Sequence, residues 1–143
     1  MARALVPEVP VFGAQPAHAP ALHTALHTGH RVVVEEAPTL ADGLAGNIED
    51  GSVTLPLVLG WAREIFLVSE RGLAEAIRGF AQHDHQIVEG SGAVGAAALL
   101  EQAEKKEPRL PGQGPVGLLV TGRNIDLGLL TNILTSREVT ALP

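Results

Sequence analysis

The sequence predicts an α/β fold with a mostly parallel sheet flanked by helices, and three observations carry that prediction. Short apolar runs rich in Val, Ile and Phe stand at Val9–Ala14, Glu64–Val68 and Val116–Val120. Segments with helical apolar spacing alternate with them, the pattern that gives parallel strands joined by crossover helices. Aromatic residues make up only 3% of the 143-residue chain although 45% is hydrophobic. The core is therefore expected to be built of Ala, Val, Leu and Ile.

The length fits one domain. The formal net charge of -6 argues against a nucleic-acid footprint, which needs a basic surface. There is no Cys, so disulfides, thiolate nucleophiles and Cys-ligated metals are excluded. No apolar run approaches the roughly 18 residues of a membrane helix. The N-terminus has no compact apolar core of the signal-peptide kind, and a cytoplasmic location is the resulting expectation.

Taken in order, Ala2–Leu5 reads as the last turn of a helix, broken at Pro7-Glu8. The strand Val9–Ala14 follows. Ala17–Thr28 has Leu22 and Leu26 at helical spacing, with Gly29 where a helix C-cap glycine belongs. Arg31–Glu36 is a short extended piece closed by Pro38. The Gly-rich stretch 39–53, with Asp-Gly twice, is a loop whose apolar residues suggest that it packs down. Pro56–Arg63 reads as one or two helical turns, and Glu64–Val68 as the second strand. Ser69 is a good N-cap for a helix over Glu70–Gln82, in which Leu73, Ala76, Ile77 and Phe80 share a face. After the polar break His83-Asp84-His85 and an extended Gln86–Glu89, a helix of small residues is expected from Ala93. A Pro/Gly-rich loop at 107–115 leads to the third strand, 116–120, and a last helix. A helix stub at the start and only three good strands suggest part of a larger domain.

Several local patterns are candidate sites. Gly90-Ser91-Gly92-Ala93-Val94-Gly95 matches G-x-G-x-x-G at a helix start, where backbone N–H groups favour anions. A dinucleotide fingerprint needs a strand before it, however, and only Ile87-Val88 are apolar there. Close backbone packing of a Gly/Ala helix is the preferred reading. Ser91 lies between adjacent glycines, whereas a nucleophile elbow needs them two residues away on each side. His23 and His27 are four apart and share a helix face, a spacing suited to a metal pair. No nearby Asp, Glu or Cys in the sequence completes a ligand shell, so surface imidazoles are preferred for these, for His18 and His30, and for His83 and His85.

Three segments are specific in combination: Thr39-Leu40-Ala41-Asp42-Gly43, Glu89-Gly90-Ser91-Gly92-Ala93 and Thr121-Gly122-Arg123-Asn124. Their order resembles T-(I/L)-A-D-G, E-P-(A/S)-G-A and S-G-G-N in pyridoxal-phosphate enzymes of fold type II, the tryptophan-synthase-β type. The strand VPVFGAQP likewise resembles V-x-V-(I/V)-G-V-E-P. Within that group the chain is most similar to threonine/serine ammonia-lyases (dehydratases) and serine racemases.

The resemblance implies that residues 1–143 are the C-terminal portion of the large cofactor-binding domain. It implies pyridoxal phosphate as cofactor, with Thr121 donating a hydroxyl to the pyridine nitrogen. Unlike a carboxylate, a hydroxyl does not hold a proton on that nitrogen, so the ring remains a weaker electron sink, suited to β-elimination. Asn124 would shape the turn at the following helix start. Glu89 would lie close to the cofactor, and Asp42 and Gly43 in a loop near its ring side. The family's Schiff-base lysine and Gly-rich phosphate cradle belong to a half expected to precede residue 1. The only lysines are Lys105 and Lys106, in a charged helix end. The chain is therefore expected to be inactive alone, and no residue here is assigned a catalytic role. It would serve an amino-acid substrate through the complete enzyme, and its expected partner is an N-terminal half-enzyme or further copies in a homo-oligomer. Where some relatives bind a cation through a Glu and an Asp, this chain has Gln15 and Ala21, and no metal is expected there. A non-catalytic partner-binding module is the alternative reading.

Overall fold

The computed structural model describes residues 8–105 and 114–135. The expected helix stub at 2–5 and most of the loop at 107–115 lie outside them. Two strands, β1 (Val11–Pro16) and β2 (Ala62–Val68), pair in parallel, with Phe12 opposite Glu64 and Pro16 opposite Val68. The helices are α1 (Ala21–Thr28), α2 (Leu55–Trp61), α3 (Glu70–Gly79), α4 (Gly90–Ala103) and α5 (Leu127–Thr135).

Each boundary has a local cause. α1 begins four residues later than its spacing suggests, because Pro20 takes the N-cap position. It ends at Gly29, whose φ of 78° is the left-handed conformation that glycine adopts without steric cost. β1 runs two residues past Ala14, since pairing with β2 continues to Pro16. Ser69 caps α3 as expected, its Oγ accepting from Gly72 N–H at 3.0 Å. The last turn of the expected helix widens into a π-turn over Phe80–Asp84, closed by His85 at φ 55°. α4 starts at Gly90 rather than Ala93, so the Gly-Ser-Gly segment is helix and not a loop.

The core lies between the sheet and α3/α4. Phe66 and Val68 of β2 meet Leu73, Ala76 and Ile77 of α3 and Ala93, Ala97 and Ala98 of α4, with Leu130 and Ile133 of α5 closing one side. Phe12 stacks on Phe66 at 5.6 Å between ring centroids. The core is mostly aliphatic and alanine-rich, with Phe66 inside it and Phe12 and Phe80 packed against it.

Three expected extended elements do not become strands: 31–36, 86–89, which leads directly into α4, and 116–120. Residues 31–36 have no strand partner among the described residues and are held instead by the side chain of Asn47, which accepts from Val34 N–H at 2.8 Å and donates to Val34 O at 3.0 Å. Residues 116–120 form no strand and are not buried: Leu119 is 84% exposed and Val116 54%. A strand requires a neighbour to satisfy its N–H and C=O groups. Among the described residues the sheet has two strands, and neither lies beside this run.

Candidate functional site

The three motif segments, up to 85 residues apart in sequence, converge at the N-terminus of α4. Glu89 is the N-cap residue of that helix, in extended conformation. Its backbone N–H donates to Gly122 O at 3.1 Å. Its side-chain Oε2 accepts from Asn124 N–H at 3.0 Å. One residue thus ties the start of α4 to the Thr-Gly-Arg-Asn turn through both main chain and side chain.

Glycine makes the convergence possible. A Cβ at Gly90 would fall on the carbonyl of Leu40, and a Cβ at Gly122 on the carboxylate of Glu89. A Cβ at Gly92 would stand 2.7 Å from Gly122 O. The first two glycines of the G-x-G-x-x-G match, Gly90 and Gly92, therefore serve close backbone approach, the reading preferred from the sequence, while Gly95 faces the side chain of Leu118. They sit within the first turns of a helix, with no strand before it.

The Thr39–Gly43 loop is held by a residue that sequence reasoning missed. Glu70, at the start of α3, accepts from Thr39 Oγ1 at 2.7 Å and from Leu40 N–H at 2.6 Å. Thr39 Oγ1 in turn accepts from Ala41 N–H at 3.1 Å. A carboxylate in a first helical turn is ordinarily explained by the helix dipole, so nothing in the sequence marked Glu70 as the clamp of a loop 30 residues away. Beyond the loop, Gly43 abuts Ser91, whose Oγ is buried without a hydrogen-bond partner.

Between these segments lies a cleft of about 260 Å³ lined by Thr39, Asp42, Glu89, Asn124, Asp126 and apolar neighbours. Thr121 is exposed, at the near end of the turn, and is not part of the cleft wall. Asn124 is within the turn rather than at the helix start. Asp126 is what begins α5, its Oδ1 accepting from Leu129 N–H at 2.9 Å. Arg123 is exposed. A larger cleft of about 620 Å³ lies between the end of β1 and the 43–54 loop. It contains none of the three predicted site residues. Gln15 on its wall is engaged, its Oε1 accepting from His23 N–H at 2.8 Å.

The smaller cleft has a definite chemical character. Three carboxylates line it and no Lys or Arg does. Such a wall repels a phosphate dianion. It suits the uncharged side of a heteroaromatic ring, for which Thr39 and Asn124 in the wall offer hydrogen-bonding groups. The residues present thus fit the ring end of pyridoxal phosphate and not its phosphate end.

The pyridoxal-phosphate dependent enzyme family matches residues 1–122. L-threonine ammonia-lyase of Thermotoga maritima is 33% identical over 132 residues, 92% of this chain and 31% of the relative. Among solved structures, a threonine deaminase from T.th. superposes with a TM-score of 0.75 at 33% identity, covering 88% of this chain and 44% of that one. Maize serine racemase superposes at 0.79 with 27% identity, covering 92% and 39%. The chain spans 31% to 41% of the length of the curated relatives it matches.

Proposed function

We infer from this chain, which belongs to the pyridoxal-phosphate dependent enzyme family, that it forms the ring-side part of a threonine/serine dehydratase site. The activity is β-elimination from a hydroxyamino acid, giving a 2-oxo acid and ammonia. The observation that carries the reading is the double tie of Glu89 to Gly122 and Asn124, which fixes the turn bearing Thr121 against the helix bearing Glu89. When bound, the cofactor supplies an electron sink for the substrate's Cα. Thr121 would hold its pyridine nitrogen by donating a hydroxyl proton. Asn124 and Glu89 would keep that turn in place, and Asp42 would face the same cleft.

Alone, the chain is inactive on this reading. Lys105 lies exposed just beyond the end of α4, not desolvated as an amine nucleophile requires. Lys106 lies outside the described residues. The exposed apolar edge at 116–120 supports pairing with a companion half that brings the lysine and the phosphate cradle. The same edge would serve a non-catalytic partner-binding module.

Reconstitution separates the two readings. The chain is mixed with the N-terminal half of a family threonine ammonia-lyase, with pyridoxal phosphate and threonine. The expected result is the visible absorption of bound cofactor and release of 2-oxobutanoate, with Thr121→Ala weakening cofactor retention at unchanged fold. Association without cofactor absorption or product would sink the dehydratase reading and leave the binding module.

A further inference from the structure

The histidine pair of α1 acquires in the structure the third partner that the sequence did not reveal. Glu64, on β2, lies 37 residues beyond His27 in the chain but beside it in space, its Oε1 3.6 Å from His27 Nε2. One ligand atom from each of His23, His27 and Glu64 falls within 4.8 Å of the others. The two imidazoles lie against each other, with centroids 4.3 Å apart and planes inclined at 37°.

The hydrogen bonds around the pair set the chemistry of the ring nitrogens. His23 Nδ1 is 2.6 Å from the carbonyl oxygen of Ile65, and His27 Nδ1 is 2.9 Å from the carbonyl oxygen of His23. A carbonyl can only accept, so each Nδ1 carries its proton. In the neutral ring that leaves the lone pair on Nε2. Orientation of an imidazole through an Nδ1–H to a carbonyl is the usual arrangement behind a metal-bound histidine. The Glu64 side chain is 20% exposed and His27's is 50% exposed, so the cluster is anchored on one side and reachable from solvent on the other. Gln15, a position at which the sequence argues against a cation, meets only the main chain of the cluster, its Oε1 accepting from His23 N–H at 2.8 Å.

We propose that His23, His27 and Glu64 form a Zn²⁺ site, binding through the two Nε2 atoms and a Glu64 carboxylate oxygen, with water as fourth ligand. Two imidazoles and one carboxylate with an open position are a recurrent zinc donor set. His at i and i+4 on a helix brings both nitrogens to one ion. The small inward movement from 3.6 Å to the separation that Zn–N and Zn–O bonds of about 2.0–2.2 Å impose is a side-chain adjustment. The ion would tie α1 to β2 across the crossover that separates the two strands.

The test uses the full 143-residue chain after chelator treatment. Titration with Zn²⁺ alone is expected to show one site, with Co²⁺ substitution giving the intense visible absorption of a four-coordinate ion. His27→Ala should lower Zn²⁺ affinity by about 100-fold or more, beyond what loss of an outer-shell partner typically costs. Glu64→Gln should weaken binding and convert Co²⁺ to the weak spectrum of six-coordination. Zn²⁺ should raise the melting temperature of the parent chain and not of His27→Ala, whose circular dichroism without metal should match the parent. A double substitution of the loop histidines, His83→Ala with His85→Ala, should leave affinity unchanged. Absence of binding, equal affinity in Glu64→Gln, or loss of binding in the loop double variant would each overturn the proposal. Absence of binding would leave His27 and Glu64 as neighbouring side chains 3.6 Å apart.

Discussion

Glu89 shows how much one residue can organise when its neighbours are glycine. Its backbone and carboxylate both reach the Thr-Gly-Arg-Asn turn, and the space for this exists because Gly122 has no side chain. Two substitutions test the point against each other. Gly122→Ala would press on a carboxylate that can rotate away, so we expect a loss of about 1–2 kcal/mol, within the usual range for overpacking. Gly90→Ala would press on the Leu40 carbonyl, which is main chain and cannot rotate away. We expect a loss of about 3 kcal/mol or more. Urea unfolding of both variants measures the difference. A larger loss for Gly122→Ala would mean that the start of α4 slides more easily than the Glu89 side chain. The motif segments could be singled out in the sequence because their order resembles that of a known family, and the structure brings them together. Glu70 and Glu64 could not be, because each earns its place through a contact 30 or more residues away, and sequence spacing records only local neighbours.

Among the elements, the helices and the strands β1 and β2 form close to their patterns, while the other extended segments do not become strands. Helix α3 could be placed because its apolar spacing and its Ser69 cap are both local signals. Its cap is embedded in a wider network: Glu101 on α4 accepts from Ser69 N–H at 3.0 Å and from Ser69 Oγ at 2.6 Å. That carboxylate fits over the helix because position 72 is glycine. Ser69→Ala removes both the cap to Gly72 and the hydroxyl partner of Glu101. A loss of about 1–2 kcal/mol is expected, at or somewhat above the typical cap value, measured by thermal unfolding. Glu101→Gln keeps the cap and should cost less; an equal or greater loss would show that the inter-helix bond, not the cap, dominates. Extended runs are less legible, since an apolar run states only that a strand is possible. Whether 116–120 pairs depends on which backbone lies alongside. What does lie alongside is α4: a Cβ at Gly95 would be 3.3 Å from the side chain of Leu118, so the run rests on a helix rather than against a strand.

The described residues form a mostly aliphatic core under a two-stranded parallel sheet, with the motif segments gathered at one end of α4. The α/β class was legible because alternation of element types survives errors in individual boundaries. The sheet's size was not, because strand pairing is a property of the assembled chain. The pairing itself has a kinetic consequence. Val11 sits opposite Ala62, with α1, the Gly-rich loop and α2 between them. Neither strand can find its hydrogen bonds until about 50 intervening residues have been closed into a loop, at an entropic cost that only later contacts offset. Hairpin-like early formation is therefore unavailable to this sheet. During refolding, amides of β1 and β2 should gain protection from deuterium exchange together, and after those of α3 and α4, whose contacts span fewer residues. Protection of either strand ahead of those helices would show that the crossover closes first.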